Sequence, residues 1–157
     1  MSRVDRWVAR LLRTRWVVRA PVALYRMRLG WVLGPRLLML EHRGRTTGLR
    51  RFVVLEVVDQ PFRHGWIVIS GFADRSQWLR NLRNDPHCRV WSMSRRPVPA
   101  MAHELPASQR EKTLRLYAAR HPLAWRRLRP VLEATLGRNI DANGTGLPMV
   151  MLDGTRR

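Results

Sequence analysis

The chain has 157 residues, of which 45% are hydrophobic, and this composition predicts one globular domain and excludes a largely disordered chain. Its 30 Lys and Arg residues stand against 11 Asp and Glu residues, which gives a formal net charge of +19. Such an excess favours an anionic partner: nucleic acid, an acidic membrane surface or an anionic cofactor. The single Cys88 excludes an internal disulfide and a cysteine metal cluster, and it fits a cytoplasmic protein.

The first part of the chain, residues 1–34, predicts two helices, over residues 4–16 and 22–33, with a break at Ala20-Pro21. In the first helix, Trp7 lies on an apolar stripe and the arginines lie off it. A helix of this kind can lie on the anionic inner face of the cell membrane, or pack on the body of the protein with its arginines in water. No apolar run is long enough to cross a bilayer, and no signal peptide is expected.

From residue 37 the apolar residues follow a strand pattern, and residues 35–157 predict one barrel domain. Residues 37–41 and 52–58 predict a hairpin around Arg45-Thr46-Thr47-Gly48, with a loop over residues 59–65. A third strand over residues 66–70 precedes a helix that Ser76 is expected to cap. Further strands are expected over residues 87–92, 98–104 and 147–152, and helices from Ser108 and over residues 123–136. About six short strands with flanking helices predict an α+β fold with a mostly antiparallel barrel.

The side chains of the usual catalytic sets are not arranged in their usual spacings. The histidines show no paired metal-ligand spacing, so no metal site is expected: His42, His64, His87, His103 and His121. Ser70-Gly71 lies outside a nucleophile-elbow motif, and Cys88 is expected in the core. An enzyme built on this chain therefore needs a bound cofactor to supply the chemistry.

The hairpin turn is a candidate anion site because arginines flank a glycine-containing turn, whose amides are free to donate. Those arginines are Arg43, Arg45, Arg50 and Arg51, and Ser70-Gly71 before the next helix offers a second site. The order of motifs is more specific than any one of them: Gly44-Arg45-Thr46-Thr47-Gly48 with Arg51, then Ser70-Gly71, Trp78, Asn81-Leu82 and Asp85-Pro86. Over about residues 35–117 this order resembles the deazaflavin (coenzyme F-420)-dependent nitroreductase and quinone reductase family of actinobacteria.

The resemblance implies a split β-barrel, related to flavin-mononucleotide-binding oxidases, that binds coenzyme F-420. It implies that the hairpin turn holds the phosphate and acidic tail through Arg45, Thr46, Thr47, Gly48 and Arg51. The deazaflavin ring would be lined by Phe52, Val53 and Val54, closed by Ser70, Gly71 and Phe72, and approached from the helix by Gln77, Trp78, Arg80 and Asn81. Tyr117 is a candidate for contacting the acceptor or supplying a proton. For Trp78 and Tyr117, an ordinary core position is the competing interpretation.

The chain departs from the family pattern at Thr46, Arg50, Ala73 and Ser76, where other members often have a basic residue, proline, glycine and proline. The expected activity is hydride transfer from the reduced coenzyme to a hydrophobic acceptor such as a quinone or a nitro compound, and a homodimer is one expected state. A flavin mononucleotide or haem protein of the same barrel type is the alternative. A nucleic-acid module is disfavoured because the tryptophans lie in apolar stripes.

Overall fold

The structure is a computed structural model, and it describes residues 35–93, 96–140 and 146–155. Within these ranges the chain forms six strands, three α-helices and one 3-10 turn at Ala73–Arg75. The strands are β1 (Leu37–Arg43), β2 (Arg50–Phe62), β3 (Gly65–Ile69), β4 (His87–Ser92), β5 (Val98–Glu104) and β6 (Met149–Asp153). The helices are α1 (Gln77–Asn84), α2 (Ala107–Arg120) and α3 (Pro122–Leu136).

The six strands close into a barrel in the order β1-β2-β3-β6-β5-β4, and every pairing between neighbours is antiparallel. The first hairpin pairs Leu37 with Glu56 and Arg43 with Arg50, so the arginine-rich turn lies at one end of the barrel. This arrangement confirms the predicted α+β fold with an antiparallel barrel. The last strand, β6, lies between β3 and β5 and joins the two halves of the ring.

Alternate residues of the strands face opposite sides of the sheet, as the two-residue period requires. Leu38 and Leu40 of β1 pack in the inner cluster, which Val53 and Leu55 of β2 join from the facing strand. Helix α1 adds Trp78, Leu79 and Leu82 to the same inner cluster. Three apolar side chains on one face of an eight-residue helix therefore fix α1 against the barrel.

A second cluster covers the outside of the barrel under α2 and α3. Val58, Ile67, Ile69 and Met149 come from the strands, while Leu114, Tyr117 and Leu132 come from the helices. Leu114 and Tyr117 are both buried on one side of α2. Tyr117 is 2% exposed, which places its ring in this outer cluster.

Several element ends differ from the prediction. The predicted loop over residues 59–65 is wrong, because β2 continues to Phe62. The pairing register shifts between Val57, Asp59 and Phe62, so the side chains there do not follow the strict alternation by which a strand is recognised. Ser76 is the N-cap residue of α1, as predicted, but its side chain makes no capping hydrogen bond. Helix α2 begins at Ala107, after Pro106, rather than at Ser108.

The two helices predicted over residues 4–16 and 22–33, and the 1–34 segment that they form, lie outside the described residues. No helix of the described part combines the length and the apolar character that crossing a membrane requires.

The packing of Trp78 leads to a stability prediction. The indole is 7% exposed in the inner cluster, so we expect Trp78→Ala to lower the free energy of unfolding by about 3–5 kcal/mol. Trp78→Phe should cost less because an aromatic ring still fills the space. Urea unfolding midpoints measure both. Asn84→Ala at the exposed end of the same helix is the control, and an equal loss in that variant would contradict the core assignment.

Candidate active site

The turn between β1 and β2 is closed by its two glycines. The Gly44 N–H donates to the Leu49 carbonyl at 2.9 Å, and the Gly48 N–H donates to the Gly44 carbonyl at 2.7 Å. Gly48 has φ +67°, a left-handed conformation that a residue with a Cβ adopts only with strain. The sequence Gly-Arg-Thr-Thr-Gly therefore folds into a tight loop that projects Arg45, Thr46 and Thr47 from the barrel end.

This turn presents donors with few acceptors. Within the described part of the chain, the main-chain N–H groups of Thr46 and Thr47 donate to no protein acceptor, and the Arg51 side chain has no ion-pair partner. Arg50 lies 3.6 Å from the Glu41 carboxylate. Amide N–H groups beside unpaired guanidinium groups bind phosphate and carboxylate oxygens. The turn can therefore hold a polyanion.

Helix α1 holds this turn through Arg45. The Arg45 main-chain N–H donates to Asn81 Oδ1 at 3.1 Å, and its guanidinium donates to Asn81 Oδ1 and to Gln77 Oε1, both at 2.9 Å. Both acceptors are neutral, so they orient the guanidinium without cancelling its charge. The structure thus brings Arg45, Gln77 and Asn81 together, whereas the sequence predicted Arg45 at the charged tail and the other two residues near the ring.

His42 is a residue of this site that the sequence analysis did not assign. It is 5% exposed, and its Nδ1 lies 3.1 Å from Asn81 Nδ2. Burial, with a smaller contribution from the nearby Arg51 charge, lowers the pKa of His42 to about 4. The available signal was positional: His42 follows Leu38 and Leu40 at two-residue steps on the inward face of β1.

The loop after β3 is held by two serine hydroxyls. Ser70 Oγ donates to the Ala73 carbonyl at 2.7 Å and lies 2.6 Å from Ser76 Oγ, so the Ser76 hydroxyl donates to Ser70. Ser70 is fully buried and Ser76 is 5% exposed. Ala73 has φ +50° and carries the strain of a left-handed residue. The Ser70 hydroxyl therefore shapes the loop.

The other site residues predicted in this loop and in α1 lie in different surroundings from one another: Gly71, Phe72, Trp78 and Arg80. Phe72 is 44% exposed, and a Cβ on Gly71 would lie 3.3 Å from Leu132 Cδ2, which leaves little space at that position. Arg80 donates from Nε to the Asp74 carbonyl at 2.8 Å, so it ties the loop to α1. Trp78 lies in the inner cluster, which is what the interpretation of this residue as an ordinary core side chain predicts.

Strand β2 separates the three residues predicted to line the ring. Val53 packs against the inner cluster, whereas Phe52 and Val54 belong to the opposite face by alternation. Phe52 meets Trp91 of β4 edge to face, with ring centroids 6.0 Å apart. Only Phe52 and Val54 of the three can offer side chains to a ligand outside the barrel.

Tyr117 belongs to a polar triad on the outer face of β2. Its hydroxyl donates to Glu56 Oε1 at 2.5 Å and accepts a hydrogen bond from Arg36 at 2.9 Å, while Arg36 also pairs with Glu56 at 2.8 Å. Burial first, and then the Glu56 carboxylate, raise the pKa of Tyr117 well above its ordinary value. The phenol therefore keeps its proton at neutral pH.

A cavity of about 260 Å³ opens beside this triad. Its walls are Pro35, Arg36, residues 57–60 of β2, Thr113, Leu116, Tyr117, Arg120 and His121. Tyr117 and Leu132 belong to the same outer cluster, and a Cβ on Gly71 would lie close to Leu132. The lining of the cavity is mixed: Val57, Val58 and Leu116 are apolar, while charged and polar side chains make up most of the rest.

The sequence predicts no metal site and places Cys88 in the core. The described residues contain no group of three His, Cys, Asp or Glu side chains placed to hold a metal ion. Cys88 is a buried free thiol whose Sγ donates to the Ala100 carbonyl, and burial raises its pKa to about 12. The prediction of Cys88 as a core residue is confirmed, and an unreactive thiol at this position fits it.

Residues 16–127 match the sequence profile described as "F420H(2)-dependent quinone reductase". The match spans most of the chain and includes the turn, the Ser70 loop, α1 and Tyr117. The chain belongs to this family. Membership confirms the resemblance seen in the sequence and makes an F420-dependent oxidoreductase the coarse function of the chain.

Solved structures support the split-barrel fold of this F420H(2)-dependent quinone reductase family member. An F420-H2 dependent reductase (FDR-A) is 19% identical with a TM-score of 0.51, and the match covers 75% of this chain and 94% of the other. A domain-swapped dimer is 16% identical with a TM-score of 0.53, covering 85% and 99%. HutZ, the heme storage protein from Vibrio cholerae, is 11% identical with a TM-score of 0.50, covering 87% and 89%. No curated protein sequence matches the chain.

The lowered pKa of His42 leads to a prediction about pH and stability in this family member. Between pH 6.5 and about 4 the unfolded chain binds a proton at His42 that the folded protein excludes, so the unfolded state is favoured as pH falls. We expect the free energy of unfolding to decrease by up to about 3 kcal/mol across this window and then to level off as far as His42 is concerned.

Urea unfolding at a series of pH values measures this effect. His42→Gln should flatten the decline between pH 6.5 and 4. His87→Gln, at an exposed histidine of β4, is the control and should keep the wild-type decline. The same slope in His42→Gln and in the wild type would contradict the assignment.

Proposed function

We propose that the protein is an oxidoreductase that uses reduced coenzyme F-420 to reduce a small hydrophobic acceptor, such as a quinone or a nitro compound. The observation that carries the proposal is the turn over residues 44–48, where the amides of Thr46 and Thr47 have no protein acceptor and the nearby Arg51 has no ion-pair partner among the described residues. The family match supports the same coenzyme.

The residues present fit a cofactor with a phosphate and an acidic tail. Arg45 is oriented by Asn81 and Gln77, Arg51 has no carboxylate partner in the described part, and Thr46 and Thr47 add amide donors. Arginine binds phosphate and carboxylate through paired, charge-assisted hydrogen bonds. These side chains and amides would hold the charged end of the coenzyme.

The ring end would lie against Phe52, Val54 and the Ser70 loop. When bound, the reduced coenzyme supplies a hydride, so the protein itself needs no nucleophile. The chain contributes a rigid edge: the Ser70–Ser76 hydroxyl pair and the Arg80–Asp74 contact hold the loop in one conformation. A rigid edge orients two stacked reactants and excludes water from between them.

The acceptor would bind in the cavity beside Tyr117. Its volume of about 260 Å³ suits a ring-sized head group, and Val58 and Leu116 supply apolar walls. The Arg36 guanidinium can donate a hydrogen bond to an acceptor oxygen. The Tyr117 hydroxyl has a single proton, which it donates to Glu56, so it would donate to the acceptor by exchanging Glu56 for the acceptor oxygen. Because its pKa is raised, Tyr117 stays protonated rather than acting as a base.

A visible spectrum is the first test. The purified protein should bind the deazaflavin with a change in coenzyme absorbance or fluorescence, whereas flavin mononucleotide and haem should compete weakly. Preferential binding of haem or flavin mononucleotide would overturn the coenzyme assignment and leave the barrel with the alternative cofactor.

Removing the unpaired charge of the turn tests the anion site. Arg51→Ala should raise the coenzyme Kd about ten- to hundredfold, because it removes charge-assisted contacts worth about 1.5–3 kcal/mol. The urea midpoint should barely move, since the Arg51 side chain is exposed. Arg63→Ala, an exposed arginine between β2 and β3, is the matched control for net charge. Equal affinity losses in both variants would mean that net charge, and not this turn, binds the coenzyme.

Removing one hydroxyl tests the acceptor site. Tyr117→Phe keeps the ring in the outer cluster and leaves Arg36 paired with Glu56, so the fold should persist. We expect KM for a soluble quinone to rise roughly three- to tenfold, the loss of one hydrogen bond, while the coenzyme Kd stays unchanged. Steady-state kinetics with the quinone varied provide the measurement, and an unchanged KM would remove Tyr117 from the acceptor site.

A further inference from the structure

The amide of Asn81 is buried at 5% exposure, and all of its observed contacts are within the protein. Its oxygen receives two hydrogen bonds, both from N–H groups of Arg45, at 3.1 and 2.9 Å. An N–H group can only donate, so the atom that faces Arg45 must be the amide oxygen. The amide nitrogen therefore faces His42 Nδ1, 3.1 Å away.

This orientation determines the state of His42. The Asn81 NH₂ group can only donate, so His42 Nδ1 must be the acceptor and carry no proton. The imidazole is then neutral, with its proton on Nε2. Burial and the neighbouring Arg51 charge disfavour the cation, which agrees with this assignment. A protonated Nδ1 would face the amide N–H groups and favour the reversed amide, whose NH₂ group would then oppose the donors of Arg45.

We propose that His42 is a positioning residue, whose unprotonated Nδ1 fixes the Asn81 amide in the orientation that anchors Arg45 and the turn over residues 44–48. The first link, from His42 to Asn81 to Arg45, depends only on hydrogen-bond direction. The second link, from the anchored turn to coenzyme affinity, rests on the proposed function.

The anchor matters because the turn reaches α1 through this contact. Within the described residues, the hydrogen bonds that join the turn over residues 44–48 to α1 all start from Arg45, and two of the three end on Asn81. Without a fixed acceptor at Asn81, Arg45 and the amides of Thr46 and Thr47 are free to change orientation. A binding group that is ordered before the ligand arrives avoids the entropy loss of ordering on binding.

The tautomer is tested without any ligand, by ¹H–¹⁵N NMR of the histidine rings at pH 7. His42 should show the neutral Nε2–H pattern. Asn81→Asp replaces the donor that faces Nδ1 by a carboxylate oxygen, so His42 should shift to a ring protonated at Nδ1 and titrate at a higher pH. A wild-type ring that carries a proton on Nδ1 would overturn the proposal.

The anchor is tested on His42→Phe, which keeps a ring of similar size but has no acceptor. The Arg45 amide should exchange its hydrogen with solvent at least tenfold faster, and the coenzyme Kd should rise about tenfold. His42→Gln, which restores an acceptor oxygen, should recover most of both. His87→Phe, at an exposed histidine, should match the wild type.

The outcomes separate the two links. Wild-type exchange of the Arg45 amide in a folded His42→Phe, checked by circular dichroism, would overturn the positioning role. If His42→Phe fails to fold, His42→Leu, which also lacks an acceptor, takes its place in the same comparison with His42→Gln: only the glutamine should retain slow exchange at Arg45. Expected NMR results together with a wild-type protein that binds no coenzyme would leave the anchor intact and reject the proposed function.

Discussion

The burial of Trp78, Leu79 and Leu82 against the inside of the barrel is the contact on which the candidate site depends. Each such side chain contributes about 1.5–3 kcal/mol when it leaves water. Because the same short helix carries Gln77 and Asn81 on its other side, this apolar packing sets where the acceptors for Arg45 lie. The polar geometry of the turn is therefore a consequence of core packing, and a change that loosens α1 also displaces the arginines.

The turn carries an excess of positive charge. Arg43, Arg45, Arg50 and Arg51 repel one another, and among the described residues the carboxylate within ion-pair distance of them is Glu41, 3.6 Å from Arg50. By contrast, Arg83 on the far side of α1 is paired with both Asp74 and Glu104. Helix α1 thus separates a neutralised arginine from a turn whose positive charge is only partly compensated. Repulsion of this kind lowers stability in the free protein and is relieved when a polyanion binds.

The sequence predicts those features that depend on local patterns. The hairpin, the Gly44–Gly48 turn and the positions of the strands along the chain follow from alternation and glycine placement. The extension of β2 to Phe62 could not be predicted, because register shifts near Asp59 disrupt the alternation of side chains. The Ser76 hydroxyl donates to Ser70 instead of capping α1. The capping rule considers only the residues at the start of the helix, so it could not predict this partner. Alternation places His42 on the inward face of β1, but its contact with Asn81 depends on how separate elements pack. The same holds for the contacts among Arg36, Glu56 and Tyr117, so spacing along the chain could not reveal either set of contacts.

The position of β6 between β3 and β5 has a consequence for how the chain folds. Gly65 and Met101 both pair with Asp153 of β6. Because α2 and α3 lie between β5 and β6 in the chain, the ring closes only when β6 returns to the barrel across that long segment. Contacts of such long sequence separation form late, because the entropy of a large loop must be lost first. Until then β3 and β5 each present an unpaired edge, the kind of surface on which chains associate with one another. Exchange of β6 between two incompletely closed barrels would satisfy both edges with the same hydrogen bonds. The strand that closes the barrel is therefore also a strand suited to domain swapping between two chains.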